Sequence, residues 1–155
     1  MDEKKYISIA KENIFVLRQF LKNAAKNYLN KVRLLEAELH ATEGNKAEAI
    51  LCYQQAIALS SKHGFLLEHA LSCERRAIFY LGDNSIESAT ESFQESFLHY
   101  KKWGSERKVK HLSETYPAFA KKNARQLFSR DGVEFGRPVF GFRFYVNIFL
   151  GHFNI

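Results

Sequence analysis

An all-α fold of antiparallel helical hairpins follows from three features of the 155-residue sequence. Apolar residues recur at three- and four-residue steps from residue 4 to about 116, the signature of helices with one buried face. Glycines at 44, 64, 82 and 104 each follow one of these apolar stripes. Only two prolines and eight glycines occur in the whole chain, so little interrupts long helices. The expected architecture is about six helices, stacked as hairpins into a right-handed superhelix.

The stripes define the helices in order. Tyr6, Ala10, Ile14, Leu17 and Leu21 make the first, and Tyr28, Val32, Leu35 and Leu39 the second. Ala49, Ile50, Tyr53, Ala56 and Ile57 make the third. Leu67, Ala70, Leu71, Ala77, Ile78 and Leu81 make the fourth. Ile86, Ala89, Phe93, Phe97 and Tyr100 make the fifth, and Val109, Leu112 and Tyr116 a short sixth. A glycine just past a helix end supplies the left-handed C′ conformation without a Cβ clash, which predicts that role for all four glycines. Asn45 with Glu48 and Asn84 with Glu87 read as capping boxes, each opening a helix.

An internal repeat is visible. The interval from Ala49 to Ala89 is the same as that from Tyr53 to Phe93. One hairpin cannot bury its own apolar face, so such units stack on their neighbours. The unit resembles the tetratricopeptide pattern of a turn Gly, a small Ala, an aromatic four residues on, and a small residue three further. Gly44, Ala49, Tyr53 and Ala56 fit it. Gly82, Ala89, Phe93 and Ser96 fit with two extra residues in the turn.

A wider resemblance covers roughly residues 31–117. Glu36-Ala37-Glu38-Leu39 precedes Gly44, and Ala49, Tyr53, Ala56 and Ile57 follow. Phe65, Glu68, Ala70 and Leu71 precede Ala77, Phe79, Tyr80 and Leu81. The most specific part is Tyr100-x-x-Trp103-Gly104, then Lys108-Val109, Leu112 and Tyr116-Pro117. These residues resemble the helical-repeat region of large multidomain signalling ATPases that join a kinase-like domain, an AAA-type ATPase, a GAF domain and a sensor histidine kinase. The resemblance implies a TPR-like fold and a role in positioning domains. No Walker A loop occurs in the sequence, so ATPase and kinase activity are not part of what it implies.

The expected organisation is a helical repeat domain over 1–117, a basic helix over 118–128, and an aromatic-rich, poorly packed tail over 129–155. The tail is too short, and too broken by Arg143 and Gly151, to be a membrane-spanning helix. Charge is uneven. Residues 1–99 hold 12 Lys/Arg against 13 Asp/Glu, whereas 100–130 hold 9 against 2. Lys101, Lys102, Arg107, Lys108, Lys110, Lys121, Lys122, Arg125 and Arg130 therefore form a candidate basic surface. No nucleic-acid-binding motif accompanies them, and a solvated helix face is the favoured reading.

Little points to chemistry. The six histidines include no H-x-x-x-H pair, so no metal site is expected. Glu91 and Glu95 sit four apart and read as a solvated helix face. Cys52 and Cys73 fit no paired pattern and read as buried, inert thiols in a reducing cytoplasm. No secretory signal is visible at the N-terminus. Trp103 reads as a packing plug that pins the last helix with Tyr100 and Tyr116. The expectation is a non-catalytic interaction scaffold or spacer without cofactor, contacting a protein partner or a neighbouring signalling domain. The alternatives are a binder of nucleic acid or anionic surfaces through 101–130, and a segment without independent function.

Overall fold

The computed structural model describes residues 3–120, with side chains from Lys5 and from Ile7 onward. Lys121, Lys122, Arg125 and Arg130, the remainder of the expected basic helix, and the expected tail over 129–155 lie outside the described residues. Six helices form the described chain: α1 (Glu3–Glu43), α2 (Lys46–His63), α3 (Leu66–Gly82), α4 (Ile86–Trp103), α5 (Glu106–Thr115) and α6 (Pro117–Ala120). No strand occurs among the described residues, and the fold class is all-α. No described helix is long and apolar enough to cross a membrane. The described residues divide into two compact units, one ending at Ala56 and the next beginning at Ile57, within α2.

In the first unit, α1 is itself a hairpin. Its backbone leaves helical geometry at Ala24 (φ −146°, ψ 43°), between the first two predicted stripes. Lys11 pairs with Glu43 at 2.8 Å, and Arg18 with Glu36. A step forward from Lys11 to Arg18 on one arm thus matches an equal step backward from Glu43 to Glu36 on the other, which only antiparallel arms allow. Ile14 and Leu17 from one arm pack with Val32, Leu35 and Leu39 from the other. The second arm is buried from Leu34 to Leu39, including Glu36 and Glu38. These carboxylates are bonded: Glu36 to Arg18 and Arg33, and Glu38 to the Tyr53 hydroxyl at 2.6 Å. A buried polar group without such partners would cost a few kcal/mol.

The turns correct one expectation. Gly44, Gly64 and Gly104 take φ of +81°, +73° and +86°, but Gly82 does not. Gly82 ends α3, and Asn84 takes the left-handed position with φ +57°. At all four turns the next residue donates to the carbonyl five back: Asn45 to His40, Phe65 to Ser60, Ser85 to Tyr80 and Ser105 to Tyr100. This is the Schellman closure, which satisfies carbonyls that a helix end orphans. Asn tolerates left-handed backbone because its short side chain bonds locally. The left-handed residues therefore stand at 44, 64, 84 and 104, at even intervals along the chain. The expected two-residue insertion is absent, and the Asn84–Glu87 capping box does not form, since Ser85 occupies the N-cap position.

The burial register repeats with the turns. Ala49, Cys52, Tyr53, Ala56 and Ser60 of α2 are buried after the turn at Gly44. Their counterparts after the turn at Asn84, namely Ala89, Ser92, Phe93, Ser96 and Tyr100 of α4, are buried at the same offsets. In the second unit, Phe93 and Ala89 pack with Ala77, Ile78, Leu81 and Phe119. Leu112 of α5 joins Ala70 and Tyr100 in a second cluster.

Candidate polar site between α3 and α4

The α3–α4 hairpin turns about Asn84, so residues at similar distances from 84 on the facing sides of the two helices come together. Three pairs at equal distances from 84 build the site. His69 faces His99, Cys73 faces Glu95, and Arg76 faces Ser92. The antiparallel register and the inward-turned faces of the two helices together bring these pairs into contact. The His69 and His99 rings stack with centroids 3.6 Å apart and planes 10° from parallel. The Cys73 thiol hydrogen-bonds to Glu95. Arg76 Nε donates to Ser92 Oγ at 3.0 Å.

Glu95 is the hub. Its Oε1 lies 2.9 Å from His69 Nε2, and its Oε2 accepts from Arg76 Nη2 at 3.0 Å. Its main-chain carbonyl lies 2.9 Å from His99 Nδ1. A carbonyl only accepts, so Nδ1 of His99 donates to it, and in the neutral ring Nε2 is then the nitrogen with the lone pair. The expectation of a solvated Glu91/Glu95 face is therefore corrected: Glu91 is exposed, but Glu95 is drawn into the hairpin by His69 and Arg76. His69, Cys73 and Ser92 are buried.

The environment sets the protonation states. Burial pushes the His69 imidazole below its ordinary value, against the pull of the Glu95 carboxylate, so the ring is neutral near pH 7. Burial alone would raise Glu95, but the His69 bond and the Arg76 charge more than reverse this and hold it ionised. Burial, then the Glu95 charge, pushes the Cys73 thiol well above its usual range. A fully buried, protonated thiol is a poor nucleophile, so the Cys73–His69 adjacency does not make a catalytic dyad. Cys52 is also buried, its thiol raised by burial and by Glu36.

A pH dependence follows for the metal-free chain. An unfolded histidine takes up its proton near pH 6.5, and folded His69 does so only at lower pH. Below about pH 6.5 the unfolded chain then binds more protons, and stability falls as pH falls. Glu95 adds a loss of the same sign below its ordinary range. Urea midpoints should drop from pH 7.5 to pH 5.5 in the presence of a chelator. In His69→Gln the drop should shrink, and an equal drop in the variant would refute the assignment.

A second polar network lies beside the first. Glu74, buried in α3, accepts from Tyr100 Oη at 2.6 Å and from Lys108 Nζ at 2.9 Å. Lys108 also stands 5.6 Å from the Tyr100 ring centre, close enough for a cation–π contact. Lys108 is half-buried with its charge turned to Glu74, unlike the other described lysines of the candidate basic surface. Lys101, Lys102, Arg107 and Lys110 are exposed or half-exposed on α4 and α5.

The remaining predicted residues fall as follows. Ala49, Tyr53, Ala56, Ala89, Phe93 and Tyr100 are buried. Tyr116 is half-buried against the Phe93 ring at 4.7 Å, and Pro117 opens α6. Trp103 is not a plug: it ends α4 with 49% of its surface exposed. Its position at the helix end, beside Gly104, carries the ring past the last packed turn.

The sequence reading missed His69, Cys73, Arg76, Glu95 and His99 as a group. The available signal was a His-x3-Cys pair and a Glu-x3-His pair on consecutive helices, mirrored about the turn. No protein-family model matches the chain, and comparison with curated proteins and with solved structures returns no match either.

Proposed function

We propose that the chain is a non-catalytic interaction or spacer module of a cytoplasmic signalling protein. The observation that carries this reading is the outer face of α1. Ile9, Val16 and Phe20, at heptad-like steps of seven and four, share one side of the first arm and are all exposed. Phe15, about 100° further round the helix from Val16, is 65% exposed. Grouped large apolar side chains on a charged helix mark a surface meant for another protein. The recurrence of the buried positions of α2 in α4 and the resemblance to the helical region of multidomain signalling ATPases support the same reading. The repeat is longer than the ~34 residues of a tetratricopeptide unit, so the likeness to that pattern lies in its buried Ala and aromatic positions.

A second reading is favoured by the α4–α5 turn, where exposed Trp103 sits among exposed Lys101, Lys102 and Arg107. Basic side chains around an aromatic suit an anionic partner. The two readings separate in one experiment. The full chain and a Phe15→Ser/Val16→Ser variant serve as bait in native cytosol at low and moderate salt. The module reading expects proteins retained at moderate salt by the parent chain and lost from the variant. Equal capture by both baits, or capture of nucleic acid alone that disappears as salt rises, would overturn it.

A further inference from the structure

The rungs of the α3–α4 hairpin bring three metal-ligating groups to one place. A nitrogen of His69, a carboxylate oxygen of Glu95 and a nitrogen of His99 all lie within 4.8 Å of one another. We propose that His69, Glu95 and His99 form a site for a single divalent transition-metal ion of the zinc class, independent of the module's role in partner binding.

The donor set selects the ion. Two imidazoles and one carboxylate suit zinc and its first-row neighbours, whereas magnesium and calcium take shells of oxygen. Three protein ligands leave one position open for water or an outside ligand. The supporting bonds fit as well. Metal-bound histidine usually donates its other ring N–H to a carbonyl or carboxylate. His99 already does so through Nδ1 to the Glu95 carbonyl, which leaves Nε2 as its donor atom. Arg76 holds Oε2 of Glu95 and leaves Oε1 for the ion. The ion takes the place of the proton that His69 Nε2 now shares with Oε1, and the His69 ring carries its proton on Nδ1 instead.

Two features oppose binding and set what must change. The stacked rings lie in nearly parallel planes 3.6 Å apart between centroids, so one ion can lie in the plane of both only after they splay. Arg76 places a positive charge beside the site, which weakens the affinity without removing a ligand.

The test uses the full, untagged chain freed of metal by a chelator and titrated with Co²⁺, then Zn²⁺. The expected result is one Co²⁺ per chain, with the visible absorption of a four-coordinate site and large paramagnetic shifts of the His69 and His99 ring protons. Zn²⁺ should displace it one for one. His99→Gln and Glu95→Gln should each weaken binding by ~10-fold or more. His111→Gln, at an exposed position on α5, should leave it unchanged. Circular dichroism checks that the variants stay helical. Absence of the absorption at stoichiometric Co²⁺ overturns the proposal. So does binding that leaves the two ring signals unshifted, a readout that needs no variant.

Discussion

Phe93→Ala is expected to destabilise the chain by about 3–5 kcal/mol, the range for emptying a buried aromatic site. Phe93 has no exposed surface, and its ring meets Tyr116 at 4.7 Å and Phe119 at 4.8 Å. It is therefore the contact through which α4 holds the residues after α5. It shares its cluster with the buried Ala77, Ile78, Leu81 and Ala89, and with the half-buried Tyr80, Ile86 and Phe97 at the edge. Ala77 and Ala89 are too short to reach into the vacated space, so part of it stays empty. A domain of this size has only about 5–15 kcal/mol of total stability, so the variant loses a large share of it. Urea denaturation followed by circular dichroism measures the loss. A change below about 1 kcal/mol would mean that Phe93 does not fill the core as described.

Glu74→Ala should rank next, at about 3 kcal/mol, because taking one partner from a buried pair costs about 3–5 kcal/mol. The carboxylate is buried and binds both Tyr100 Oη and Lys108 Nζ. Its removal takes away the carboxylate that accepts from the Tyr100 hydroxyl, on a residue 2% exposed, and the counter-charge of Lys108. The lower end of the range applies because the Lys108 side chain, 28% exposed, can turn toward water. A double-mutant cycle with Tyr100→Phe isolates the shared bond, with an expected coupling of about 0.5–3 kcal/mol. Additive losses in that cycle would show that the hydroxyl and carboxylate do not act together.

The register about Asn84 explains why the polar site was hard to read. His69 and His99 lie on different helices with a whole turn between them, and nothing local joins them. Placing the turn at Gly82 shifts the mirror point by two positions, so His69 no longer aligns with His99, nor Cys73 with Glu95, nor Arg76 with Ser92. Glycine is the usual left-handed residue, so composition alone favours Gly82. The choice of Asn84 rests on where the packed faces of α3 and α4 meet.

Local chemistry by itself determined the all-α class, the stripes that become helices, and the left-handed turns at Gly44, Gly64 and Gly104. It also determined the matching buried positions of the repeat, Ala49 with Ala89 and Tyr53 with Phe93. Each of these depends on neighbours within a turn or two, where periodicity and the missing Cβ of glycine act directly. Only the tertiary structure decided that Asn84 closes the third turn, that Trp103 faces water, and that Lys108 turns inward to Glu74. It also decided that Glu95 leaves the solvated face for His69 and Arg76. Those outcomes depend on which helix lies alongside, because a buried charge or ring takes its energy from partners that the linear sequence places far away.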